Sequence, residues 1–211
     1  QKIGIGATKD GILTGITHEA IGETSRYEAF TEGVVNMSKF MYACPNVNTS
    51  YKILPLDLST PTWMRGPGEA TGSWALESAM DELAYKLKLD PLELRLRNYA
   101  ETDPERNLPF SSKFLRECYE VGADKIGWNK RNPAVGSMND GAWKIGYGVS
   151  SGTFGAYRDK ATVLAKLSDQ GILTIECAVS DSGPGTATSM TELASKTMGL
   201  PPAKVIFELG D

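Results

Sequence analysis

Two short stretches of this sequence combine residues that suit the holding of anions. Gly66-Pro67-Gly68-Glu69-Ala70-Thr71 and Gly183-Pro184-Gly185-Thr186-Ala187-Thr188 share the pattern G-P-G-x-A-T. Each follows a strand-like run and opens an apolar-periodic helix, and each helix ends near a leucine with a proline soon after (Leu89-Asp90-Pro91, Leu200-Pro201). Glycine lets a ligand approach the backbone closely, the first helical N–H groups have no partner, and the helix dipole favours negative charge, so each turn can hold an anion. A single such turn is better explained by folding alone, since Gly and Pro end strands and start helices. Its repetition brings the reading of a ligand with several anionic or polar groups about level with that explanation. Arg65 stands directly before the first turn, in Trp63-Met64-Arg65-Gly66, where a charge between apolar neighbours and glycines needs a partner. Arg26, in Thr24-Ser25-Arg26-Tyr27, is a second candidate. Neither copy is a dinucleotide or P-loop fingerprint, since no G-x-G-x-x-G with a later acidic residue and no G-x-x-x-x-G-K-[ST] occurs.

Other chemistries lack parts. His18 is the only histidine, and Glu19 beside it points to the opposite face of a strand, so histidine triads and H-E-x-x-H zinc sites cannot be assembled from this chain. His18 reads as a partly buried or surface histidine. Cys44, Cys118 and Cys177 stand far apart with no C-x-x-C pair and read as free thiols. Ser180-Asp181-Ser182-Gly183 is no nucleophile elbow. Glu77, Asp81 and Glu82 fall on the polar side of a helix and are expected to be solvated. With 22 basic and 26 acidic residues the formal charge is -4, which disfavours nucleic acid as a partner. No apolar run approaches the roughly 18 residues of a membrane span, so no membrane partner is expected.

The elements that must carry these turns can be read from periodicity. Lys2 to Ala7 and Ile12 to Glu19 flank the turn Lys9-Asp10-Gly11 and read as a hairpin. Tyr51 to Leu58 is a strand, with Pro55 placing it at an edge or bulge. Trp74, Leu76, Ala79, Met80, Leu83, Ala84 and Leu87 recur at threes and fours and define a helix with those residues inward. Asp90-Pro91-Leu92-Glu93 starts a second helix with a cap, a first-turn proline and a glutamate at the capping-box position. Ser111-Ser112 opens a third. Residues 128–143 are rich in Asn, Pro, Gly, Ser and Asp and read as a linker. Strands follow at Lys144 to Ser150, Ala161 to Leu167 and Ile172 to Val179, then a helix over Ala187 to Met198. The fold class is α+β, with mixed sheets and helices packed on one face. At 211 residues, starting on Gln1 and stopping soon after an apolar strand pattern, the chain reads as an internal fragment holding parts of two domains, 1–127 and 144–211.

The run Thr60 to Ala70, followed by Ala75-Leu76-Glu77-Ser78-Ala79-Met80-Asp81-Glu82-Leu83-Ala84 and Asp90-Pro91-Leu92-Glu93-Leu94-Arg95-Leu96-Arg97-Asn98, resembles the large molybdenum-binding subunit of the xanthine dehydrogenase and aldehyde oxidoreductase family. Asp181 to Thr188, Leu200-Pro201 and Gly210-Asp211 resemble that subunit's second signature. The resemblance implies parts of two related molybdenum-cofactor-binding domains and a molybdopterin cytosine dinucleotide cofactor with molybdenum. It further implies hydroxylation of an aldehyde or N-heterocycle with water, and electron transfer to Fe-S and FAD partner subunits. By the same resemblance, Arg65 and Gly66 lie against the molybdenum end of the cofactor, and Gly183, Pro184, Gly185, Thr186 and Thr188 belong to its pterin or pyrophosphate site. Arg26 is implied as a substrate-orienting residue, and Ser111-Ser112-Lys113 could meet cofactor phosphate. The family's glutamate base is expected outside this fragment, so neither Glu69 nor Glu77 takes that role and the fragment alone is expected to be inactive. Pro184 replaces a glutamine common in the family and removes an N–H, the one internal sign of an alternative, a non-catalytic ligand-binding paralogue. The compartment expected is cytoplasmic, with periplasmic co-export as the alternative.

Overall fold

The two G-P-G turns fall in separate compact units, residues 1–155 and 156–211. A computed structural model describes residues 1–211 apart from 154, 156–158, 182 and 211, so Ser182 and Asp211 of the second signature lie outside the described residues. In chain order the elements are β1 (Lys2–Ala7), β2 (Leu13–Ser25), α1 (Met37–Phe40), β3 (Val47–Leu56), α2 (Glu69–Leu87) and α3 (Pro91–Arg97). They continue with β4 (Thr102–Asp103), β5 (Leu108–Pro109), α4 (Leu115–Ile126), β6 (Met138–Asp140), β7 (Trp143–Ile145), β8 (Val163–Leu167), β9 (Leu173–Cys177), α5 (Thr186–Met198) and β10 (Val205–Leu209).

The first unit is built on the sheet β1-β2-β3. β1 and β2 form the expected antiparallel hairpin, with a register shift at Gly6/Ala7. β3 then runs parallel to β2 after a crossover through α1. Pro55 lies in β3 at the sheet edge, where its missing N–H leaves no ladder bond broken. Leu13 and Ile16 of β2, Met37, Met41 and Tyr42 around α1, Leu76, Met80 and Ala84 of α2 and Leu94 of α3 share one buried core. Asn98, fully buried, stitches this unit together: its side-chain oxygen accepts from Leu13 N at 2.8 Å, and its amide donates to Gly11 O at 2.7 Å and Leu94 O at 2.8 Å.

The helical periodicity misplaces two residues. Trp74 is 72% exposed, whereas Glu77, expected in solvent, is 4% exposed. Glu77 lies three residues before Met80 and seven before Ala84, hence on the core stripe itself. At α3, Asp90 caps Leu92 N at 2.8 Å as expected. Glu93 does not close a capping box but pairs with Arg97 one turn later, at 2.9 Å. α4 begins at Leu115, and neither Ser111 nor Ser112 caps it. Within 128–143, the indole of buried Trp128 donates to Asp90 at 3.1 Å, and β6 pairs with β7. β7 ends at Ile145, shorter than the strand expected to Ser150.

The second unit has the sheet β10-β9-β8, in which β8 and β9 are an antiparallel hairpin and β10 runs parallel to β9 after a crossover through α5. Leu173, Ala194 and Val205 form its small core. Each unit therefore repeats one arrangement, a hairpin extended by a parallel strand.

His18 is buried completely, with Nδ1 2.9 Å from Ser38 Oγ and Nε2 3.0 Å from Gln1 Oε1. Burial lowers its pKa below the usual 6.5. The folded protein therefore keeps His18 neutral where the unfolded chain already binds a proton, so stability is expected to fall as pH drops below about 6.5 and to level off once the folded-state pKa is passed. Urea midpoints compared at pH 7.5 and 5.5 check this: the His18→Gln protein is expected to show a smaller loss than the parent, and equal losses would refute it.

Candidate functional site

The start of α2 is set by two glycines with positive φ, Gly66 at 68° and Gly68 at 76°. A Cβ at Gly68 would come within 2.4 Å of Gly33 N, so the closeness that glycine permits here is to the protein's own chain. The outer side of Gly66 is open: a Cβ there would meet only Ala70, at 3.6 Å and beyond. Arg65 is exposed and makes no ion pair among the described residues. The loop before it is joined to the end of β2 through Ser25 Oγ and Thr60 Oγ1, 2.6 Å apart, and through the Phe30 and Trp63 rings, 5.5 Å between centroids. This brings the stretches holding Arg26 and Arg65 side by side. Arg26 itself is exposed and pairs with Asp57 at 2.6 Å.

The second turn differs. Gly183 and Gly185 have φ of 111° and 81°, and α5 starts at Thr186. The turn's N–H groups already have an anion, the Asp181 carboxylate. Gly183 N and Thr186 N each donate to it at 2.8 Å, and Gly185 N donates at 3.3 Å. These backbone bonds, that of Gly183 foremost, hold the Asp181 carboxyl below the usual carboxylate range. Pro184 contributes no N–H. Still open to a ligand here are the Thr186 and Thr188 hydroxyls and the Thr188 N–H, which have no partner among the described residues.

Sequence reasoning missed a polar network behind α2. Arg95, 0% exposed, donates from Nε to Glu77 Oε2 at 2.8 Å, from one terminal nitrogen to Asp81 Oδ1 at 2.7 Å and Pro91 O at 3.0 Å, and from the other to Glu77 O at 3.2 Å. Burial opposes its charge, yet the surrounding Glu77 and Asp81 carboxylates win and its pKa is raised. Tyr42 donates its phenol to Glu77 Oε1, and burial followed by the Glu77 charge raises the Tyr42 pKa. Ser151 N donates to Glu77 Oε2 at 2.8 Å, and the Ser151 hydroxyl meets the Tyr119 phenol and lies 3.3 Å from that of Tyr42. The available signal was Arg95 between Leu94 and Leu96 on an amphipathic helix, a cation whose burial requires a carboxylate.

Residues 1–99 and 121–211 each match a molybdopterin cofactor-binding domain. The chain is 37% identical, over 212 aligned residues that take in all of it, to the aldehyde oxidoreductase molybdenum-binding subunit PaoC of Escherichia coli K12. The chain belongs to the xanthine dehydrogenase and aldehyde oxidoreductase family. It spans 29% of that relative's length. A putative xanthine dehydrogenase molybdenum-binding subunit of the same organism, XdhA, is 26% identical over 95% of the chain and 28% of the relative. Quinoline 2-oxidoreductase from Pseudomonas putida 86 shares the fold, with a TM-score of 0.76 at 18% identity over 99% of this chain and 30% of its own. So does the aldehyde oxidoreductase from Desulfovibrio gigas, at 0.69 and 24% over 99% of this chain and 24% of its own.

For a member of this family, the first turn fits a polar or anionic group of a molybdopterin: an exposed guanidinium beside an open glycine at a helix start. At the second turn the three N–H groups taken by Asp181 do not, and the donors left are the two threonine hydroxyls and the Thr188 N–H. Lys113 meets no open anion site either. It lies 4.2 Å from the Tyr99 ring centroid and 4.3 Å from that of Phe110, and donates to Ala100 O at 2.5 Å. Burial lowers its pKa. Among the described residues no cluster of His, Cys, Asp and Glu could hold a bare metal ion, and no helix is long and apolar enough to cross a membrane.

Proposed function

We propose that this chain is cofactor-binding sequence from the molybdenum-binding subunit of a molybdenum hydroxylase acting on an aldehyde or an N-heterocycle. The observation that carries it is the 37% identity, along the whole chain, to a subunit named for aldehyde oxidation and molybdenum. When bound, the cofactor, read as the cytosine dinucleotide form, supplies the redox centre for hydroxylation with water as the oxygen source, and electrons leave to Fe-S and FAD partner subunits.

This chain's own residues bind and orient. Arg65 offers a guanidinium to an anionic or carbonyl group of the cofactor at the start of α2, where the helix dipole acts in the same sense. Gly66 leaves room for that approach. Thr186 and Thr188 offer hydroxyls at the start of α5, while Asp181 keeps the Gly183-Pro184-Gly185 turn in shape. Arg26, beside the Arg65 loop, is placed to orient substrate once released from Asp57. Neither Glu69 nor Glu77 is given the role of the family's glutamate base. The compartment that fits is the cytoplasm, or the periplasm by co-export with a partner subunit.

The experiment is Arg65→Ala in the complete complex, measuring molybdenum, pterin and aldehyde-dependent dye reduction. Losing a charge-assisted hydrogen bond costs about 1.5–3 kcal/mol, so turnover or metal content is expected to fall by about tenfold or more. Unchanged metal, pterin and turnover would overturn the role given to Arg65. A parent complex without molybdenum or pterin would favour the non-catalytic paralogue, for which Pro184 and the Asp181-filled turn speak.

A further inference from the structure

Ser151 is 3% exposed while Ser150 and Gly152 on either side of it are exposed, so a single residue of this stretch enters the interior of the first unit. It belongs to the second cofactor-binding match, residues 121–211, yet it is held by Tyr42 and Glu77 of the first match, residues 1–99. We propose that Glu77 is a positioning residue: its carboxylate fastens the stretch around Ser151, which lies within the second cofactor-binding match, to the helix that begins at the Arg65–Gly68 turn. The functional side of this inference rests on the reading given above.

Three donors converge on the two Glu77 oxygens, namely the Tyr42 phenol, Arg95 Nε and Ser151 N. A carboxylate has lone pairs for all three, whereas a glutamine of the same shape has one oxygen and two hydrogens of its own. Arg95, 2.8 Å from Glu77 Oε2, supplies the opposite charge that so buried a carboxylate needs. Gly148 and Val149, just before the fastened residue, wall two hollows of this unit. One, of about 410 Å3, also has Ala70, Ser73 and Trp74 in its wall; the other, of about 420 Å3, has Tyr85 and Trp128. Releasing Ser151 therefore frees a wall shared by both hollows, next to the first turn of α2.

The test compares the complete complex of the parent with Glu77→Gln and Ser151→Pro, the second of which removes the N–H without changing a charge. Exchange of the Ser151 amide is expected to rise at least about tenfold in Glu77→Gln, cleavage within residues 146–153 by a nonspecific protease to rise severalfold in both variants, and the molybdenum-to-protein ratio of the folded complex to fall severalfold. Unchanged exchange in Glu77→Gln together with unchanged cleavage in both variants overturns the fastening. Raised exchange with unchanged molybdenum ratio and unchanged KM reduces Glu77 to a purely structural residue and overturns the positioning. A parent lacking molybdenum overturns only the functional reading, because the exchange measurement still decides whether Glu77 holds the segment. If Glu77→Gln does not fold, Ser151→Pro carries the decision.

Discussion

Arg95→Leu is expected to destabilise the protein by about 3–5 kcal/mol, the usual result of removing one partner of a buried ion pair. Arg95 is fully buried and Glu77 almost so, and water cannot replace the guanidinium. Leucine leaves the Glu77 carboxylate with the Tyr42 phenol and Ser151 N but no cation, and it deprives Asp81, Pro91 O and Glu77 O of their donors. The urea midpoint should fall with the slope unchanged. A loss below about 1 kcal/mol would show that the network contributes no more than a surface pair. A double replacement of Arg95 and Glu77 by apolar residues is expected to recover part of the loss, since burying no charge costs less than burying one unpaired.

Gly72→Ala is the second large effect, and its sign runs against helix propensity. Alanine inside a helix is favoured over glycine by about 1 kcal/mol. At Gly72, however, the added Cβ would stand 2.1 Å from Val34 O and 2.9 Å from Val34 C, both backbone atoms that cannot swing aside. Overpacking of that kind costs about 1–3 kcal/mol or more, and it falls one turn from the Arg65–Gly68 turn, so cofactor content should drop with stability. Gly122→Ala in α4 is the control. Nothing lies within 4 Å of its Cβ position, and there the substitution should stabilise by about 0.5–1 kcal/mol. Thermal unfolding of the two variants should move in opposite directions; movement in the same direction would refute the contact argument.

Local signals were legible wherever local physics decides the outcome. Lys9-Asp10-Gly11 between β-branched runs gave the hairpin, Asp90-Pro91 the start of α3, Pro55 an edge strand, and the two G-P-G turns the starts of α2 and α5. Illegible features depended on partners far away in sequence. Trp74 is apolar but faces out, and Glu77 is charged but occupies the core stripe, because Arg95, eighteen positions later, supplies the charge that makes its burial tolerable. Asp181 was visible beside the second turn. That it fills the anion position itself follows from loop conformation, which residue types alone do not specify. The sequence echo between the two turns also proved offset from the structural repeat: α5 is the crossover between parallel strands, whereas α2 follows the parallel strand β3 and leads into α3.

The buried Asn98 amide bears on the order in which the chain can fold. The β1-β2 hairpin is local, but its turn carbonyl at Gly11 and its Leu13 N–H find their partners only at Asn98, 87 and 85 residues later. Until α3 is present those groups must stay hydrated, and the Leu13 side chain has no wall of Leu94 to close against. During synthesis, β1 and β2 therefore cannot bury their turn until Asn98 has followed them out, and closure of this long loop gives the first unit a contact order far above that of its hairpin alone.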